Sequence, residues 1–188
     1  MILCYIYEAM ADFEITLLLH RLRNTGNKQI VTIAATKECV LAQSGLYIRP
    51  EKLISEITDI TEAEALIIPG GPVNNEQNEV CELVKRMSLA NKLIAAICFG
   101  PQFLGRAGVL DHYNFTTSCS EDKIKQLGIK DPYYRPNYKE ARVVEDRNII
   151  TAKGYAFIDF TMAVCIYLNI FESEEQLQEQ LGRMKEEG

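Results

Sequence analysis

Along the chain, short unbroken apolar runs alternate with stretches in which apolar residues return every three or four positions. That alternation predicts parallel strands joined by helices. Ile2 to Tyr7 is a run of strand length, and from Phe13 to Asn24 the residues Ile15, Leu18, Leu19 and Leu22 return at helical spacing. Asp12 stands where an N-cap is wanted, and Gly26 where the helix should stop. Gln29 to Ala35 predicts a second strand, Ala42 to Ile48 around Gly45 a hairpin-like excursion, and Ala65 to Pro69 a core strand broken sharply by Gly70-Gly71-Pro72. Glu76 to Leu89 predicts a helix, and Lys92 to Ile97 a strand buried on both faces. Pro101 suits the first turn of a helix that Gly108 ends. Asn114 to Thr117 and Val143 to Asp146 predict further strands, the latter pairing with Ile149 to Ala152 through a hairpin at Arg147 and Asn148. Ala156 to Ile170 reads as a final core helix.

From Glu172 the pattern becomes charged and amphipathic, with Leu177 and Leu181 spaced to dock a C-terminal helix over 172–188. No internal repeat, Pro/Ser-rich linker or low-complexity tract interrupts the chain, which predicts a single domain over 1–188. The expected fold class is α/β: a flavodoxin-like three-layer sandwich, a mostly parallel sheet with helices on both faces.

Composition narrows the partners. The 188 residues are 47% hydrophobic, enough for one sizeable core. With 20 Lys and Arg against 26 Asp and Glu, the net charge of -6 gives phosphates no general reason to approach, so nucleic acid is not an expected partner. The N-terminus has no basic region and meets Glu8 too soon for a signal peptide or membrane span; a cytoplasmic protein is expected. The six cysteines form no C-x-x-C pair, and there are two histidines, His20 and His112, far apart in sequence. Neither a metal nor a cofactor is indicated.

Candidate chemistry centres on Ala95-Ala96-Ile97-Cys98-Phe99-Gly100-Pro101, where a buried strand delivers a polarisable residue to a turn flanked by Gly100. Such a nucleophile elbow lifts its residue above the carboxyl ends of the strands and aims backbone N–H groups and a helix N-terminus at it. A lowered thiol pKa is the expected consequence. A core cysteine at a strand end would fit the same string. Two further segments favour the reactive reading, because in a parallel sheet they finish at the same edge. The Pro69-Gly70-Gly71-Pro72 turn brings backbone N–H groups close to an oxyanion, and Glu14 follows the first strand, where a partly buried carboxyl holding its proton could hydrogen-bond a thiolate.

Taken together and in order, Phe13-Glu14, Ile67 to Pro72, Ala96 to Pro101 and Ala107-Gly108-Val109-Leu110 resemble the DJ-1/PfpI (ThiJ/PfpI) superfamily, whose members have a glutamine-amidotransferase-like fold. The likeness runs from Met1 to about Leu168. It implies that Cys98 is the nucleophile, Glu14 the protonated acid beside it, and the Gly71 backbone part of an oxyanion pocket with Gly70, Phe99 and Gly100. Protease-like members carry a histidine directly after the cysteine, where this chain has Phe99. Others have a Thr-Thr-His string, where this chain reads Thr116-Thr117-Ser118-Cys119, placing Ser118 at the histidine position. Without a Cys-His triad, peptide hydrolysis is not expected. The resemblance also implies a homodimer.

The expected activity is cysteine-dependent: a hydrolase, hydratase or glyoxalase-like enzyme acting on a small electrophile. An oxidation-sensing stress protein, with an oxidant as partner and Cys119 as a redox partner for Cys98, and a non-catalytic ligand-binding protein are the alternatives. The aromatic stretch Asp131 to Tyr138 reads equally as a lid or as an ordinary surface or dimer loop.

Overall fold

The computed structural model describes residues 1–73, 79–171, 173, 175, 176, 178, 179 and 182. In chain order the elements are β1 (Ile2–Tyr5), α1 (Phe13–Asn24), β2 (Ile30–Ala34), β3 (Val40–Leu41), β4 (Tyr47–Ile48), β5 (Lys52–Leu53), β6 (Ala65–Ile68) and α2 (Glu79–Leu89). They continue with β7 (Leu93–Ile97), α3 (Pro101–Arg106), α4 (Glu121–Leu127), β8 (Val143–Asp146), β9 (Ile149–Ala152) and α5 (Phe157–Tyr167). Seven strands form one sheet in the order β5-β2-β1-β6-β7-β9-β8. All neighbours are parallel except β8 and β9, which form the expected hairpin with Val143 opposite Ala152. The β3–β4 hairpin stands apart, antiparallel, with Gly45 at φ 88° in its turn.

Strand alternation divides the core in two. Leu3, Leu66, Ile68, Ile94 and Ala96 face α2 and α3, packing on Val80, Val84, Met87, Phe103 and Leu104. Their alternates, Cys4, Ala65, Ile67, Ala95 and Ile97, face α1 and α5, packing on Ile15, Leu18, Leu22, Phe160 and Val164. Both faces of β6 and β7 are therefore sealed, which explains their unbroken apolar runs. The result is the flavodoxin-like α/β fold. Among the described residues, no helix is long and apolar enough to cross a membrane.

Three expectations change. Asp12 sits at the start of α1 but makes no cap bond; its carboxylate accepts the Ser44 hydroxyl at 2.5 Å and the Ser44 N–H at 3.3 Å, tying the β3–β4 hairpin to the loop after β1. Asn114 to Thr117 forms no sheet strand, making one isolated bridge between Phe115 and Tyr138. The place beside β9 is already taken by β8, so Thr116 N–H turns instead to the Thr151 hydroxyl at 2.9 Å. A short helix, α4, was not foreseen, although Ser120 caps it and left-handed Gly128 ends it. The expected helix start at Glu76 and most of the 172–188 helix lie outside the described residues.

The Asp131–Tyr138 segment packs on the domain through α3. A Cβ at Gly105 would lie 1.9 Å from the Pro132 carbonyl oxygen, so only glycine allows this approach. Gly105→Ala is expected to destabilise the protein by about 1–3 kcal/mol. Urea unfolding checks this, and an unchanged midpoint would count against such tight packing.

Candidate active site

Four loops meet at the carboxyl edge of β1, β6, β7 and β9, adjacent parallel strands that include the switch point between β1 and β6 where the chain reverses its direction across the sheet. The loop after β1 brings Glu14, that after β6 brings Gly70 and Gly71, that after β7 brings Cys98, and that after β9 brings Gly154.

Cys98 has φ 60°, a left-handed conformation that costs a non-glycine residue about 1–3 kcal/mol. The surrounding bonds hold it there. Its N–H donates to Ala152 O at 2.8 Å, and its carbonyl accepts the Ser118 N–H at 3.0 Å and the Thr117 hydroxyl at 2.6 Å. Beyond it, a Cβ at Gly100 would meet the Ile68, Ile97 and Pro69 carbonyl oxygens, each at 2.8 Å, so the turn needs a glycine there. This is the elbow expected from the sequence, with the strain that such turns carry.

Glu14 is 2% exposed and presses on Cys98 through gaps that two glycines leave. A Cβ at Gly70 would stand 2.5 Å from Glu14 Oε2 and 2.6 Å from Cys98 Cβ; one at Gly154 would stand 2.8 Å from Glu14 Oε1 and 3.1 Å from Cys98 Sγ. Gly70 N–H donates to Glu14 Oε2 at 2.7 Å, so it serves the carboxyl and is not free for an oxyanion. Gly71 backs onto Tyr7 instead: its Cβ would lie 2.7 Å from the Tyr7 hydroxyl, which donates to Pro69 O at 3.1 Å.

Burial pushes the Glu14 carboxyl above its ordinary value, against the hydrogen bonds of the Cys98 thiol and Gly70 N–H, which favour the charged form. Burial, the Glu14 charge and the Glu14 hydrogen bond push the Cys98 thiol up to about 12, while the Ser118 hydroxyl and Phe99 N–H pull it down. The expectation of a lowered thiol pKa is thus corrected. The elbow does aim donors at the sulfur, but burial beside a carboxylate outweighs them. Two of the three raising causes depend on Glu14 being ionised and vanish when it holds the proton. The pair therefore titrates as one unit that retains a single proton between its first and last steps.

Ser118 occupies the position at which the resemblance expects histidine. Its Oγ accepts Gly154 N–H at 2.9 Å, which leaves its own hydrogen to point at the Cys98 sulfur. The Phe99 side chain packs towards the α2–α3 face, and its carbonyl accepts the Tyr133 hydroxyl at 3.2 Å. Cys119 is buried in the core of that same face, whereas Cys98 packs against the other. Both histidines are exposed, His20 beside Asn24 on α1 and His112 in the turn before Tyr113. Among the described residues, no three His, Cys, Asp or Glu converge as metal ligands.

Next to Ser118 opens a cleft of about 760 Å³, lined by Arg135, Tyr138, Glu140, Arg142, Lys153 and Tyr155 among others. Cations and acids alternate in its wall, with Lys153 paired to Glu140 and Arg142 to Asp159. The Asp131–Tyr138 segment contributes to this wall and also braces the elbow from behind through Tyr133. Sequence reading missed Tyr7, Thr117 and Gly154. Of these, Gly154 alone had a signal, a glycine directly after a buried strand.

A model of the DJ-1/PfpI family matches residues 1–165. A Bacillus subtilis protein named an uncharacterized protease is 27% identical over 179 residues, covering 89% of this chain and 82% of its own length. A deglycase of Pyrococcus abyssi is 31% identical over 151 residues, covering 78% of this chain and 85% of its own. A DJ-1 superfamily protein of Agrobacterium tumefaciens shares the fold with a TM-score of 0.82 at 24% identity, covering 99% of this chain and 98% of that one. With the family model spanning most of its length and the fold to match, this chain belongs to the DJ-1/PfpI family.

Proposed function

We propose that the protein is a cysteine-dependent enzyme in which Cys98 and Glu14 share one proton and act on a small carbonyl electrophile, with an α-oxoaldehyde as the leading substrate class. The observation that carries this reading is Glu14, 2% exposed and hydrogen-bonded to the thiol of a strained elbow. The deglycase name of the Pyrococcus abyssi relative agrees with carbonyl chemistry. The protease name of the Bacillus subtilis relative fits less well, because neither Phe99 nor Ser118 supplies the imidazole of a Cys-His pair.

The chemistry follows from the shared proton. As the Cys98 sulfur forms its bond to the carbonyl carbon, the S–H proton passes to the Glu14 carboxylate and the C=O π pair moves onto oxygen. Glu14, now a neutral acid whose burial favours that form, returns the proton to the oxygen and gives a hemithioacetal. Ser118 hydroxyl and Phe99 N–H stabilise negative charge on sulfur as the proton leaves.

A second reading draws on the same donors. Sulfinate oxygens on Cys98 would find Ser118 hydroxyl, Phe99 N–H and a protonated Glu14 around them, which suits an oxidation-responsive protein.

Cys98→Ser should abolish turnover of any α-oxoaldehyde that the parent consumes; full residual turnover would sink the enzymatic reading. For pH, the base form of Glu14 is required, so activity should rise as pH climbs through a carboxyl pKa displaced above the usual range. Glu14→Gln should lose that acid limb and about 10²–10⁴-fold in rate, as for removal of a general base; a parent profile with no acid limb above the ordinary carboxylate range would contradict the assignment. Intact mass after mild peroxide separates the second reading: it expects two added oxygens on the parent and none on Cys98→Ser, and an unmodified parent rules it out.

A further inference from the structure

The peptide unit joining Cys98 to Phe99 has both of its polar ends engaged. Its N–H, belonging to Phe99, acts on the Cys98 sulfur as a donor that favours the thiolate. Its oxygen, the Cys98 carbonyl, accepts Thr117 Oγ1 at 2.6 Å and Ser118 N–H at 3.0 Å. Thr117 is buried, and its hydroxyl oxygen accepts the Cys119 N–H at 3.2 Å, which directs its own hydrogen towards Cys98 O. At 2.6 Å this is a short hydroxyl–carbonyl bond.

The direction of this peptide matters because Cys98 is strained. With φ at 60°, relaxation by rotating the adjoining peptide is the natural escape, and rotation would swing the carbonyl dipole towards the sulfur in place of the N–H. A donor to a developing thiolate would become a repelling acceptor. The two donors on Cys98 O oppose that rotation, and they also polarise the peptide so that its N–H becomes a stronger donor. The next peptide is braced too: Phe99 O accepts Tyr133 hydroxyl at 3.2 Å and Gln102 N–H at 3.1 Å.

We propose that Thr117 is a positioning residue of the candidate active site, its hydroxyl fixing the Cys98–Phe99 peptide so that the N–H faces the Cys98 sulfur. The inference rests on the reading of Cys98 as the reactive thiol. Thr117 touches no reacting atom and acts through the peptide.

The experiment compares the full chain with its Thr117→Val, Thr117→Ser and Cys98→Ser variants. Iodoacetamide alkylation of Cys98 is followed against pH, and thiolate ultraviolet absorbance is titrated in parallel with Cys98→Ser as the blank. Thr117→Val is expected to raise the thiol midpoint and to slow alkylation below that midpoint about tenfold, the scale of one lost hydrogen bond. Thr117→Ser, which keeps the hydroxyl, should stay within about twofold of the parent. Should the valine variant fail to fold by circular dichroism, Thr117→Ala against Thr117→Ser makes the same comparison. Valine or alanine behaving like the parent, or serine behaving as badly as they do, overturns the proposal. Full α-oxoaldehyde turnover retained by Cys98→Ser overturns the proposed function instead, and the absorbance midpoints still judge Thr117.

Discussion

A carboxyl buried against a thiol resists carrying two negative charges at once, and the rest of the site is arranged around that constraint. Glu14 and Cys98 are both pushed towards their protonated forms by burial, and each one's charge disfavours the other's. The hydrogen bonds that reach the pair, from Gly70 N–H, Ser118 hydroxyl and Phe99 N–H, set which member holds the proton. A group that keeps one proton across a wide pH range can take it from sulfur and return it to oxygen without a histidine. In the proposed function this is how proton transfer proceeds without an imidazole beside Cys98.

The fold makes the contact in specific ways. Adjacent parallel strands deliver both groups to one edge, and the switch point between β1 and β6 opens room there. Gly70 and Gly154 then remove the two side chains that would separate carboxyl from sulfur. Left-handed backbone at Cys98 aims the thiol, and bonds from Ala152, Thr117 and Ser118 hold that conformation. The Asp131–Tyr138 segment contributes from behind, packed on Gly105 and bonded to Phe99 O. An unfavourable local geometry is thus over-determined by its surroundings.

Much of this was legible in the sequence. The unbroken apolar runs of β6 and β7 could belong only to strands covered on both faces, and a turn after each at Pro69–Pro72 and Cys98–Pro101 located the edge. Helix ends with ordinary punctuation were also readable, whereas α4, seven residues long, is too short to display a period despite Ser120 and Gly128. Asp12 resembled a cap because local spacing cannot reveal Ser44, a competitor 32 residues away. Thr117 and Tyr133 left no trace, since each acts on a backbone carbonyl, 19 and 34 residues distant, and a carbonyl has no sequence signature. The thiol was misjudged for a related reason: the turn's donors follow from its residue pattern, but burial beside Glu14 is a tertiary fact that decides the sign.

The most direct measurement counts the protons on the pair. Infrared difference spectra follow the protonated Glu14 carboxyl band with pH, while ultraviolet absorbance follows the Cys98 thiolate, using Glu14→Gln and Cys98→Ser as the respective blanks. The account predicts that between acid and neutral pH the pair releases one proton and keeps the other, with full ionisation only near the alkaline limit set by a thiol pushed up to about 12. Carboxylate and thiolate both fully formed at neutral pH would contradict it.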